Sequence, residues 1–448
     1  MDKMDKQTAG PDVFSGGFGF VLACVGAAVG LGNIWRFPVL LAQFGGLTFL
    51  IPYLIFVALI ASTGVMGEYA LGRASGFGPV GAFAWAGRQR GWEKIGRGLG
   101  VLPMIGAFGL AIGYSVVLGW VAYYLYLAAS GRLLALGHNL PKIKETFAAA
   151  ASAGGNTPAI IIVSLFCLLI VGAGIVKGIE RANRILLPLL TVLFLALFVY
   201  IAFLPGASAG FDYIFTLEPH HLLNPKVWIF AFGQAFFSLS VAGNMGVIFG
   251  SYLPSSEDIP KSALKVAVFD TLAAMLAALV IIPAMATTGA QLSVGGPGLM
   301  FIYLVDVFNG MAGGWPVAAV FFLCVTSAGI TSLITLYEPP IALVRRQLNC
   351  SRWLASLLVL LAGGSVAVSI QAVTAQWMDV ISIYVCPLGA LLAGVAYFWM
   401  VSPELALAAV NEGASRPQGP RFLWLGKYVF CTATLVALIA GICLGGIG

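Results

Sequence analysis

Residues 16–38 read GGFGFVLACVGAAVGLGNIWRFP, and this stretch decides the fold. It is apolar enough to enter a bilayer, yet a continuous helix through it is disfavoured. Gly26, Gly30 and Gly32 each lower helical stability by ~1 kcal/mol, and Asn33 brings a polar amide into the middle of the membrane. A second stretch, residues 232–252, reads FGQAFFSLSVAGNMGVIFGSY and is interrupted in the same manner by Ser238, Ser240, Gly243, Asn244 and Gly246. In the order of apolar segments these are the first and the sixth. Glycine-broken segments at matching positions of two halves point to a transporter built from five-plus-five inverted repeats. Unwinding frees backbone carbonyls for a cation and aims half-helix N-termini at an anionic group such as a carboxylate. Close helix packing through Gly26-x-x-x-Gly30 is the competing explanation, but it leaves Asn33 and the recurrence unaccounted for. No strand precedes the glycines, so a dinucleotide fingerprint is excluded.

The rest of the chain fits an all-α polytopic membrane protein. Of 448 residues, 60% are hydrophobic and 9% charged, with mean hydropathy +0.98. Soluble domains are nearer ~25% charged. Eleven apolar segments are read as transmembrane helices, at roughly 14–37, 38–70, 99–130, 159–176, 185–204, 225–252, 262–288, 316–344, 353–371, 379–401 and 423–446. The expected division is a tail at 1–13, a first repeat at 14–204, an outer loop at 205–224, a second repeat at 225–401, and a loop with the eleventh span at 402–448. Eighteen of the 23 Lys and Arg fall on the side of the N-terminus and four on the other, with Arg36 inside a span. The positive-inside rule therefore predicts a cytoplasmic N-terminus and an outside C-terminus. The outer segment 292–315, apolar and glycine-rich, is expected to fold back into the outer mouth as a lid, with an ordinary extracellular loop as the alternative. The basic residues sit in short loops, so the net charge of +6 does not argue for nucleic acid. The seven cysteines show no metal spacing. No obligate protein partner is evident.

Charges inside spans are costly and usually line a pathway or pair. Glu68, Asp270, Glu338 and Asp379 are such positions, as is Arg36. Arg36 and Asp379 lie near the outer ends of the first and tenth spans and are expected to form an extracellular latch. In the eighth span, SAGITSLITLYEPP at 327–340 offers Thr331 and Ser332 as hard oxygen donors for a small cation. Back-bonding to the preceding helical turn is the alternative.

Three motifs carry a resemblance: VGLGNIWRFP at 29–38, GQAFFSLS at 233–240 and AGITS at 328–332. The chain resembles the neurotransmitter:sodium symporter family, whose bacterial members include LeuT-like amino-acid transporters. The resemblance implies an amino-acid substrate and two Na+ sites. Gly26, Val29, Ala328, Thr331 and Ser332 match the second site, and Ala28, Asn33 and Ser238 match the first. Leu31 and Gly32 match positions whose backbone meets the substrate carboxylate, and Tyr114 matches the tyrosine that bonds it. Leu110, Phe237, Ser240, Gly243, Ser332 and Leu336 match the side-chain pocket, with Ala28 and Ser238 at its edge. Arg36 and Asp379 match the extracellular gate.

Three departures shape the expectations. Asp270 replaces a first-site asparagine, which adds a full negative charge beside the cation and makes chloride unnecessary, or alters selectivity, or admits a proton. Gly243 replaces a bulky apolar residue, which enlarges the pocket toward a large apolar or aromatic amino acid. Arg346 occupies the position of a cytoplasmic-gate aspartate, which suggests a reversed pair of Asp12 with Arg345 or Arg346, or no inner salt bridge. The function expected is sodium-coupled uptake of an amino acid by alternating access. The alternatives are a non-transporting amino-acid sensor or a cation-selective channel of the same topology. No zinc-protease or G-x-S-x-G motif supports an enzyme.

Overall fold

The computed structural model describes residues 13–289, 298–311 and 313–446. Among the described residues the chain is helical and no strand occurs. Eight unbroken helices are long and apolar enough to cross a membrane: Leu47–Ser75, Glu93–Ala129, Ile175–Ala202, Ile259–Ala286, Gly314–Leu348, Arg352–Ser369, Gln371–Met400 and Pro420–Leu444. The pair Gly17–Ala28 and Gly32–Gln43, bent by 53° at its break, makes a ninth span. The other two expected spans are irregular. Thr157–Gly172 has only 16 residues, about 24 Å at 1.5 Å per residue, and the sixth span is split into Pro225–Ser238 and Met245–Ser251.

Several boundaries differ from expectation for identifiable reasons. The first span does not end at Pro38. Pro38 lies within the half-helix Gly32–Gln43, just after the widened π-helical turn Gly32–Arg36, where the altered hydrogen-bond ladder accommodates its missing N–H. The chain reverses instead at Gly45 and Gly46, both with positive φ. A side chain at Gly46 would place its Cβ 2.3 Å from the Tyr213 carbonyl oxygen, so only glycine fits this turn. The fifth span begins at Ile175 rather than at residue 185. Its extra turns carry Lys177, Glu180, Arg181 and Arg184, and buried Glu180 accepts hydrogen bonds from Ser15 and Arg184. Helices also occupy segments expected as loops, among them Leu140–Ala151, Ala207–Phe215 and Pro403–Asn411.

Residues 292–297 and 312 of the expected lid lie outside the described residues. The remainder forms a buried helical stretch over 299–310. Phe301 stacks on Phe147 at 5.1 Å and meets Tyr124 at 5.0 Å, while Phe308 meets Phe321 at 5.3 Å. This stretch packs on the third and eighth spans.

The first span runs through the centre of the molecule, and its glycines permit that position. A Cβ on Gly26 would lie 1.9 Å from Asn183 Oδ1 of the fifth span. A Cβ on Gly30 would lie 2.4 Å from Ser332 Oγ of the eighth. Packing and breaking are therefore not rival readings of this sequence: the glycines serve both.

Candidate substrate and cation site

At the first break Val29 leaves the helix with an extended ψ of 97°, and the Gly30 N–H donates to Asn33 Oδ1 at 3.1 Å. Asn33 thus satisfies one backbone donor that the break frees. At the sixth-span break Ser240 and Asn244 both adopt left-handed conformations, with φ 57° and 50°. Asparagine tolerates this region, whereas serine there is strained, as is common where function fixes the backbone. Ser240 Oγ donates across to the Ala27 carbonyl at 2.9 Å and ties the two breaks together. Glu68 of the second span accepts from the Gly246 N–H at 3.1 Å, which stabilises the start of the second half-helix.

Two oxygen clusters flank these breaks. In the first, Asn33 Nδ2 donates to Asp270 Oδ1 at 2.7 Å and lies 3.2 Å from Ser238 Oγ, which donates to Asp270 Oδ2 at 2.6 Å. Asp270 is fully buried. Among the described residues no Lys, Arg or His pairs with it. A buried carboxylate held only by neutral donors is expensive until a cation joins it. In the second cluster, Ser332 Oγ lies 3.3 Å from the Gly26 carbonyl and 3.4 Å from that of Val29, while Thr331 Oγ1 donates to the Ala328 carbonyl at 2.9 Å. The Ser332 contacts are long for O–H···O bonds, so the Gly26 and Val29 carbonyls retain acceptor capacity. Both clusters contain only oxygen acceptors, which suit a small hard cation.

Between the breaks lies a small cavity. It is lined by Ala28, Gly32, Leu110, Tyr114, Phe237, Ser240, Gly243, Ser332 and Leu336, all expected, and by Ala27, Gly30, Asn33 and Met245. Leu31 and Ser238 are buried behind it. A Cβ at Gly243 would stand in ordinary van der Waals contact with Met245 and Leu336, at 3.4 and 3.7 Å, so anything larger would press on both. Met245 was not anticipated, although its place between Asn244 and Gly246 put it inside the break. The half-helix Gly32–Gln43 begins at the cavity, where its leading amides favour an anionic group.

The outer gate departs from the expected pairing. The Arg36 guanidinium lies 4.7 Å over the Phe237 ring, a cation–π contact. Among the described residues it forms no ion pair with Asp379, which is exposed. The aromatic face beside Arg36 competes with a carboxylate that keeps its hydration. At the opposite end Arg346 lies 3.9 Å over Phe77, and Asp12 falls outside the described residues. On this side Glu338 forms a buried ion pair with Arg352, at 2.6 and 3.1 Å, and Tyr252 donates to Glu338 at 2.8 Å. Phe14 packs edge-on against Phe20 and Phe249 beside it.

The model of the Sodium:neurotransmitter symporter family matches residues 12–136 and 138–440. The chain belongs to this family. It is therefore a multi-pass membrane protein of a family of sodium-dependent transporters, not of enzymes. Across 441 residues it is 29% identical to the uncharacterized sodium-dependent transporter YhdH of Bacillus subtilis, covering 94% of this chain and 95% of that protein. It is 32% identical over 349 residues to an uncharacterized sodium-dependent transporter of Haemophilus influenzae, covering 76% and 75%. The crystal structure of MhsT in complex with L-phenylalanine matches with a TM-score of 0.84 and 29% identity, over 96% of this chain and 100% of that one. The symporter fold, LeuT-like with two broken helices, is thus the architecture of this chain.

Proposed function

We propose that this symporter couples inward movement of Na+ to uptake of a large apolar or aromatic L-amino acid. The observation that carries the reading is the cavity between the two breaks, where Gly243 contributes no side chain to the wall, flanked by the Asp270 cluster. Its apolar wall is Leu110, Phe237, Met245 and Leu336. The Tyr114 hydroxyl and the amides at Leu31 and Gly32 receive the carboxylate. Support for an aromatic ligand comes from MhsT, whose structure was solved with L-phenylalanine.

Two Na+ ions are assigned, one to Ala28, Asn33, Ser238 and Asp270, the other to Gly26, Val29, Ala328, Thr331 and Ser332. Each Na+ crossing 100 mV contributes ~2.3 kcal/mol. Two contribute ~4.6 kcal/mol, enough for more than thousandfold accumulation. The fixed negative charge of Asp270 removes the need for chloride. The human relative XTRP3 is by contrast named a sodium- and chloride-dependent transporter, with 29% identity over 58% of this chain and 47% of its own. The N-terminus lies in the cytoplasm of a bacterial cell and the C-terminus outside. Arg36 and Asp379 guard the outer mouth, closing through Phe237, and Arg346 belongs to the inner gate.

Purified protein in vesicles should accumulate L-phenylalanine or a comparable amino acid only under an inward Na+ gradient. Sodium-independent uptake sinks the coupling. Preferred binding of glycine or alanine sinks the Gly243 argument. Sodium-dependent binding without accumulation would indicate a sensor, and a non-saturating current would indicate a channel.

A further inference from the structure

Away from the central cavity, a turn on the same outer face as Arg36 carries a separate donor cluster. Residues 216–221 read TLEPHH and join the helix Ala207–Phe215 to the sixth span. Pro219 opens a tight helical turn over Pro219–Leu223. At three residues per turn, Glu218 and His221 fall on one side. His221 Nδ1 lies 2.9 Å from Glu218 Oε2, and the rings of His220 and His221 are 4.1 Å apart. One donor atom from each of Glu218, His220 and His221 lies within 4.8 Å of the other two. Among the described residues no other group of three His, Cys, Asp or Glu side chains converges in this way.

We propose that Glu218, His220 and His221 bind a transition-metal ion of the zinc class at the outer end of the sixth span. Two imidazoles and one carboxylate form a donor set that zinc accepts with its remaining positions filled by water. Imidazole nitrogen favours zinc and its neighbours over Na+, Mg2+ and Ca2+, so this site is chemically distinct from the oxygen clusters of the core. A tetrahedral ion with bonds of about 2.0–2.1 Å needs its donors roughly 3.4 Å apart. The His221 and Glu218 side chains are about half exposed and rotate freely enough to close the spread.

The backbone under the three donors is already ordered. The Glu218 N–H donates to Thr48 Oγ1 at 3.0 Å, the His221 N–H to the Glu218 carbonyl at 3.0 Å, and the Asn224 N–H to the His221 carbonyl at 3.0 Å. Trp228 Nε1 donates to the Leu222 carbonyl at 2.9 Å. The turn is therefore anchored to the second span on one side and to the half-helix Pro225–Ser238 on the other, so little ordering is left for the metal to impose. An ordinary ion pair explains Glu218 and His221 alone. It gives His220 no part, and this difference separates the two accounts.

The test is Zn2+ binding to full-length protein freed of any polyhistidine tag, by competition with a chromophoric chelator. One Zn2+ per chain with micromolar affinity is expected, together with a rise in melting temperature on adding Zn2+. His220→Ala and His221→Ala should each weaken binding at least tenfold and Glu218→Gln several-fold, with sodium-dependent uptake retained as the sign of an intact fold. His138→Ala, beside Asp306 at 2.9 Å elsewhere on the chain, should leave binding unchanged. The proposal is overturned if the wild type binds no Zn2+, if His220→Ala binds as tightly as wild type, or if His138→Ala is the change that abolishes binding.

Discussion

The two oxygen clusters beside the broken spans differ in one respect that governs how each responds to a cation. Asn33, Ser238 and Asp270 hold a buried carboxylate with no positive partner among the described residues. Gly26, Val29, Ala328, Thr331 and Ser332 offer only carbonyls and hydroxyls. The first cluster is electrostatically incomplete without a positive charge, because an unpaired carboxylate out of water is penalised. The second is neutral, and its carbonyls are loosely satisfied by the Ser332 hydroxyl. An ion at the first cluster relieves a standing penalty. An ion at the second must be held by geometry, so that cluster depends on how the first and eighth spans are docked.

The largest effect that tests this contrast is removal of the carboxylate. Asp270→Ala should lower sodium affinity at least a hundredfold, the scale of breaking a buried charge pair at about 3–5 kcal/mol, read from sodium-dependent uptake. Uptake that survives at ordinary sodium concentrations breaks the comparison. Asp270→Asn should be milder and should become stimulated by chloride, which sharpens the claim that the carboxylate replaces an anion. Insensitivity of this variant to chloride would refute it. At the neutral cluster, Thr331→Val or Ser332→Ala removes one oxygen, worth about 1.5–3 kcal/mol toward a charged partner, and should cost sodium affinity about tenfold or somewhat more without creating chloride dependence. The smallest effect concerns the cavity between the clusters. Gly243→Leu adds bulk against Met245 and Leu336 and should weaken binding of aromatic amino acids about tenfold, on the ~1–3 kcal/mol scale of overpacking. Small amino acids should bind as well as before or better, measured by sodium-dependent binding, and an equal loss for both classes would point to collapse of the break instead.

Much of the site was legible before any coordinates. Gly30, Asn33, Ser240 and Gly243 announced the breaks because glycine and polar amides are out of place in the middle of a span. Asp270 announced itself as a charge in hydrocarbon. The partners of the gate charges were not legible. Arg36 was expected to meet Asp379, yet it lies on Phe237. Glu338 was recognised as anomalous, but nothing local indicated Arg352 and Tyr252 as its partners. The end of the first span was misplaced at Pro38, since the signal that mattered was the close approach of Tyr213 to Gly46, far away in the chain.

The sequence by itself determined that the chain spans a membrane and where its two helices break. Those properties follow from hydropathy, backbone freedom and side-chain chemistry, which are local. Only the tertiary structure decided that Ser240 ties one break to the other, that Asp270 is buried without a positive partner among the described residues, and that Arg36 rests on an aromatic ring. These depend on contacts between residues as many as 237 positions apart. Pairings over such distances are set by how the spans pack, and no local pattern encodes them.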